Sequence, residues 1–215
     1  MRLRVTDSKG ASDTLDQPLT ISAGAGNTNT APTATIVSPS PTTTWKVGDT
    51  ISFSGSATDP QDGALAASKL TWSLIMHHCP SNCHEHQVQT YASVASGSFV
   101  APDHEYPSYL ELRLTATDSG GLSNTKSVRL DPKTVALTFN TIPGGLRLAV
   151  NGSDAPAPFS RTVIVGSNNT ISASSPQTVR KTTYTFRSWS DGGAQTHNIT
   201  APASATTYKA TYKQR

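Results

Sequence analysis

Charge is scarce in this chain. Asp, Glu, Lys and Arg make up 14% of its 215 residues, and the formal net charge is only +3. A disordered chain usually carries high net charge, so this balance argues against disorder. The longest basic group is Arg180-Lys181, too short for the electrostatic footprint of a nucleic-acid binder. No apolar run approaches the roughly 20 residues of a membrane-spanning helix, so no membrane span is expected. Leu-, Glu- and Lys-rich amphipathic stretches are missing, which leaves almost no helix to predict. There is no Gly-x-Ser-x-Gly elbow, no phosphate-cradling glycine loop and no His-Glu-x-x-His pair. Without a catalytic constellation, the chain reads as non-enzymatic; a metal-dependent redox enzyme is the alternative. Hydrophobic residues reach 35%, below an ordinary globular share.

Thr, Ser, Ala and Gly fill the space. Weakly charged, Thr-rich sequence suits half-exposed antiparallel sheets, where β-branched side chains pack on the pleat. Alternation is clear in "KLTWSLIM", which puts Leu70, Trp72, Leu74 and Met76 on one face. "YLELRLTATDSGG" groups Leu110, Leu112 and Leu114, and "VALTF" groups Val135, Leu137 and Phe139. "VNGS" is a hairpin signal, because Asn-Gly tolerates the positive φ such turns need. Many short alternating runs between turns predict an all-β chain of tandem antiparallel β-sandwiches.

An internal repeat sets the organisation. "LRVTDSKGASDT" from Leu3 resembles "LTATDSGGLSNT" from Leu114, each a strand, a Thr-Asp-Ser-x-Gly turn and a returning strand. Residues 1–24 therefore read as the last hairpin of a preceding domain. The opening "MRLRVTDSKG" is strand-like from its start and has no leader pattern, so protein is expected upstream. Residues 25–32 read as a linker, 33–131 as one sandwich and 133–215 as a second, smaller one.

"HHCPSNCHEH", His77 to His86, holds both cysteines and four of the six histidines. A Cys79–Cys83 disulfide across a hairpin tip is feasible, since opposed strand residues lie within disulfide range. It requires an oxidising compartment, which predicts a secreted or cell-surface protein. In that register His78, His84 and His86 share a face beside Met76, while His77 faces Glu85 on the other. Three imidazoles on a rigid face suit zinc or copper, and His104 in "APDHEYP" is a further candidate. The alternative is a stapled, solvated tip in which His78 caps the core. Asp59, Asp62 and Asp118 offer oxygen ligands for a structural Ca2+, or are ordinary turn formers. Trp45, Trp189, Tyr106 and Tyr109 are candidates for stacking on sugar rings, although Trp189 also suits the core of a module this small.

The stretches "VGDTISFSGSATDPQDG" and "LRLTATDSGG", with Trp72 in a central strand, make residues 33–131 resemble a polycystic-kidney-disease-type (PKD) domain, an immunoglobulin-like sandwich. "WSLIMHHCPSNCHEH" stands where that family usually has "WDFGDG". The stretches "IPGGLRLAVNG" and "YTFRSWSDGGAQTHNIT" make residues 133–215 resemble small bacterial β-repeat modules. The pair is similar to the accessory C-terminal region of secreted bacterial sugar dehydrogenases and hydrolases. The resemblance implies a non-catalytic accessory module that binds polysaccharide of the cellulose, chitin or xylan class, or positions an upstream catalytic domain of the same polypeptide. A metal-binding protein built on the His-rich hairpin, or a spacer without ligand, are the other readings.

Overall fold

A computed structural model describes residues 2–16, 28–79 and 82–215. Residues 17–27, the end of the expected first hairpin and the start of the expected linker, and Pro80-Ser81 in the expected hairpin tip lie outside the described residues. Among the described residues the chain is all β, with one short 3-10 turn at Ala67–Lys69 and no α-helix.

In the first sandwich the larger sheet runs in the order Thr44–Trp45, Ser123–Pro132, Ser108–Thr117, Leu70–His78 and His84–Ala92. Facing it, Thr50–Asp59 pairs with Thr33–Ser38, Gly63–Ala64 and Ser96–Val100. The period-two pattern explains the layering. Leu110, Leu112, Leu114 and Ala116 are fully buried, opposite Met76, Leu74, Trp72 and Leu70 in the antiparallel register. Phe53, Ile51, Ala57 and Phe99 close the core from the other sheet. Each buried Leu or Phe contributes about 1.5–3 kcal/mol. Gly55 lets the sheets approach here: a Cβ at this position would lie 2.9 Å from Trp72 Cζ2 and 2.8 Å from Leu114 Cδ2.

The second sandwich stacks the sheet Phe159–Ile164, Thr134–Ile142, Thr206–Gln214, Thr182–Trp189, Gln177–Val179 on the sheet Ser153–Pro156, Arg147–Val150, Asn168–Ser172, Thr196–Thr200. Leu137, Phe139, Leu148, Ile171, Trp189 and Ala210 fill its core. The sheets are mainly antiparallel, but Thr134–Ile142 and Thr206–Gln214 run parallel.

Only Lys133 separates the strand ending at Pro132 from the one starting at Thr134. The Lys133 N–H donates to the Trp45 carbonyl at 2.6 Å, the Val165 N–H to the Lys133 carbonyl at 2.9 Å and the Val47 N–H to the Val165 carbonyl at 3.1 Å. Ile164, from the second sandwich, is fully buried within the first one's core. The hydrophobic effect and the backbone ladder thus both cross the junction.

The repeat in the sequence is a repeat in geometry. Asp7 and Asp118 each donate their N–H to a carbonyl four residues on, Ala11 at 2.8 Å and Leu122 at 3.0 Å. Their Oδ1 atoms accept the N–H of those same residues at 2.9 and 2.8 Å. Gly10 and Gly121 take matching positive φ of 87° and 89°. The two copies differ in burial. Leu114 and Ala116 are fully buried, whereas Leu3 and Val5 are 58% and 61% exposed.

The candidacy of Trp45 and Trp189 for sugar stacking is corrected, and for Trp189 the core reading holds. Trp45 is fully buried, its indole N–H donating to the Leu130 carbonyl at 2.9 Å. Trp189 is buried too, donating to the Gln195 carbonyl at 3.1 Å. Neither offers a face to a sugar ring. Tyr106 remains exposed and Tyr109 half-buried.

Candidate metal centre

The Leu70–His78 strand carries its inward row, Trp72, Leu74 and Met76, onward to His78 at the end of the core. In the adjacent strand a β-bulge then decides which residues share that face. Trp72 lies opposite Tyr91 and Leu74 opposite Gln89, but Ile75 is opposite Gln87, so Val88 is left without a partner. An extra residue inverts the side-chain alternation beyond it. Met76 therefore faces His86, and His78 faces His84, where an unbulged ladder would bring Gln87 and Glu85. The Cys79–Cys83 disulfide closes the tip immediately beyond.

His104 arrives from the loop between Val100 and Ser108. That loop is held at three points. The Ala101 N–H donates to the Asp49 carbonyl at 2.9 Å, the Cys79 N–H to the Pro107 carbonyl at 2.9 Å, and the Asn168 N–H of the second sandwich to Asp103 Oδ2 at 3.0 Å. The result is a ring of four imidazoles. Centroids are 4.7 Å apart for His78–His104, 5.1 Å for His78–His84, 4.7 Å for His84–His86 and 6.0 Å for His86–His104.

One donor nitrogen from each of His78, His86 and His104 lies within 4.8 Å of the others. Two nitrogens on one zinc ion at about 2.0–2.1 Å can be at most about 4.2 Å apart. Three nitrogens on one tetrahedral ion at that bond length stand about 3.4 Å apart, so imidazoles spanning up to 4.8 Å must draw together by up to about 1.4 Å to close the set. His84 stands at the exposed rim, outside this trio.

Hydrogen bonding favours the ligand forms. His104 Nδ1 lies 3.1 Å from the Glu105 carbonyl oxygen. A carbonyl only accepts, so Nδ1 carries the proton and Nε2 keeps its lone pair for a ligand. The buried Nε2 of His78 has no hydrogen-bond partner among the described residues. Its nearest acidic atom is Glu105 Oε1 at 3.6 Å. Burial pushes the His78 pKa below its ordinary value; His104, His84 and His86 add to the shift and the Glu105 carboxylate opposes it. A neutral imidazole is the form a metal binds.

On the opposite face, His77 has partners that its facing residue alone does not reveal. His77 Nε2 is 2.7 Å from Glu111 Oε2, while Glu85 is 3.8 Å from Nδ1. Arg113 bridges Glu111 at 2.8 Å and Glu85 at 3.3 Å. The Arg113 hydrogen bond is the main reason that the Glu111 pKa falls to about 2, with His77 assisting against burial. Glu111 and Arg113 become legible as partners only once Ser108–Thr117 is known to lie beside Leu70–His78.

The candidate calcium residues act as turn acceptors, although the buried Asp59 Oδ2 has no hydrogen-bond partner among the described residues. Asp59 Oδ1 accepts the Gln61 and Asp62 N–H groups, both at 2.8 Å. Asp62 accepts the Ser119 N–H at 2.6 Å and its hydroxyl at 2.8 Å. Asp118 accepts from Leu122 N–H and from the Asn29 amide, each at 2.8 Å. Among the described residues these three carboxylates do not converge as a ligand set. The ordinary-turn reading describes them.

Among the described residues no helix is long and apolar enough to cross a membrane. The chain matches no protein-family model and no curated protein.

Proposed function

We propose that this chain is a non-catalytic accessory module of an extracellular protein and binds one transition-metal ion, zinc or copper, through His78, His86 and His104. The observation that carries the reading is the buried His78 Nε2 with no hydrogen-bond partner, beside two further imidazoles. Burying an unpaired polar atom costs about 1–3 kcal/mol, and a metal bond to that nitrogen offsets the cost. His84 and Glu105 stand next to the trio and would supply a further donor. Three nitrogen ligands leave a coordination position open, and imidazole suits both Zn2+ and Cu2+. The disulfide supports an oxidising, extracellular setting. The exposed apolar face of the first hairpin supports a preceding domain of the same polypeptide, because its structural twin is buried in a sandwich.

Calorimetric titration of the metal-free protein with Zn2+ and Cu2+ tests this. The expected result is one saturable site, abolished in His78→Ala/His86→Ala with the circular dichroism spectrum intact. Absence of stoichiometric binding to the folded, oxidised protein overturns it.

A further inference from the structure

We propose that a second site, a cleft behind the disulfide, binds a neutral pyranose unit of a polysaccharide. The cleft measures about 350 Å³ and is lined by Tyr106, Pro107, Tyr109, Arg129, Asp131 and Pro132, among others. That is the lower end of ligand-site volumes, about 300–1,000 Å³, and suits a single ring. It contains none of the three proposed metal ligands.

Its chemistry is specific. The Arg129 guanidinium lies 3.7 Å over the Tyr109 ring. The Tyr109 ring stacks on His77 at 4.5 Å and 7°. Arg129 also donates through Nε to Asp131 Oδ1 at 2.9 Å, with Nη2 at 2.8 Å from the same oxygen. The guanidinium is thus oriented by stacking on one side and by a carboxylate on the other, in a pair whose side chains are 59% and 57% exposed and open to a ligand. Both contacts go to Oδ1, so Oδ2 of Asp131 stays available to a ligand.

An oriented donor next to an oriented acceptor matches vicinal hydroxyls, since each hydroxyl both donates and accepts. A carboxylate ligand would meet Asp131 and an ammonium would meet Arg129, so a neutral polyol is favoured over either ion. Tyr106, 44% exposed, with Pro107 and Pro132, supplies the apolar surface on which the C–H face of a sugar ring rests. Ser108 also lines the cleft, and its buried hydroxyl has no partner among the described residues.

The test is an NMR titration of the whole oxidised protein with cellohexaose, chitohexaose and xylohexaose at millimolar concentration. At least one is expected to shift the Tyr106, Tyr109 and Arg129 resonances. Tyr106→Ala and Asp131→Ala are expected to weaken that binding about tenfold each, or about 1.4 kcal/mol, without changing the thermal midpoint. His86→Ala is expected to leave saccharide binding unchanged, which separates this site from the metal centre. Silence from all three oligosaccharides, or shifts that survive Tyr106→Ala undiminished, overturns the proposal.

Discussion

His78 Nε2 lies 3.6 Å from Glu105 Oε1, too long for a hydrogen bond and short enough for both atoms to reach one cation. That separation links the end of a core strand to a loop also tied to the neighbouring sandwich. It makes the centre sensitive to each element that converges on it.

Removing ligands should separate the four histidines. His86→Ala or His104→Ala is expected to lower zinc affinity by at least about 100-fold, because a first ligand is lost. His84→Ala should cost about tenfold, in the range of supporting residues. Competition against a chelating indicator measures both. Equal losses at all four positions would instead point to a four-imidazole set.

Opening the staple should loosen the site without unfolding the sandwich. The Cys79–Cys83 loop is short, so Cys79→Ser/Cys83→Ser is expected to cost about 2 kcal/mol of stability. Urea unfolding reads that loss, and the same titration should show weaker metal binding, since the tip beside His78 and His84 is no longer fixed.

Glu111 gives the first sandwich a pH dependence of defined sign. Its folded pKa is about 2, against an ordinary 4.5. Its stabilisation is therefore complete above the ordinary value and is lost as pH falls from about 4.5 through about 2. At pH 7, Glu111→Gln is expected to cost about 2 kcal/mol, the scale of a hydrogen bond to a charged group. The gap between wild type and variant should close by about pH 2; a gap constant with pH would sink the assignment.

Gly55 is expected to tolerate no side chain. Its Cβ would press on the Thr35 carbonyl oxygen at 2.7 Å as well as on Trp72 and Leu114. Gly55→Ala should destabilise by about 1–3 kcal/mol through overpacking. An unchanged denaturant midpoint would show that the sheets can part at no cost.

The inward rows were legible because alternation is a local signal. Counting outward from the two cysteines pairs His78 with His84 and Met76 with His86, and the structure has those pairs. The Val88 bulge was invisible, since nothing in "QVQTYA" marks an unpaired residue. It is nevertheless what reconciles the histidines with the row begun at Trp72. The approach of His104 depends on how a distant loop is tied down, which periodicity does not encode. The core position of Trp189 was legible from how little apolar area so small a module has to spare, whereas the burial of Trp45 comes from strands far along the chain. For Trp45 the cover is the parallel pairing of Thr44–Trp45 with Asp131–Pro132.

That short parallel ladder, together with Lys133 as the sole residue between strands, has a mechanical consequence. A pull that separates the two sandwiches meets the backbone bonds of Trp45, Val47 and Val165 at once. There is no swivel in between. One sandwich is held at a set reach and azimuth from the other.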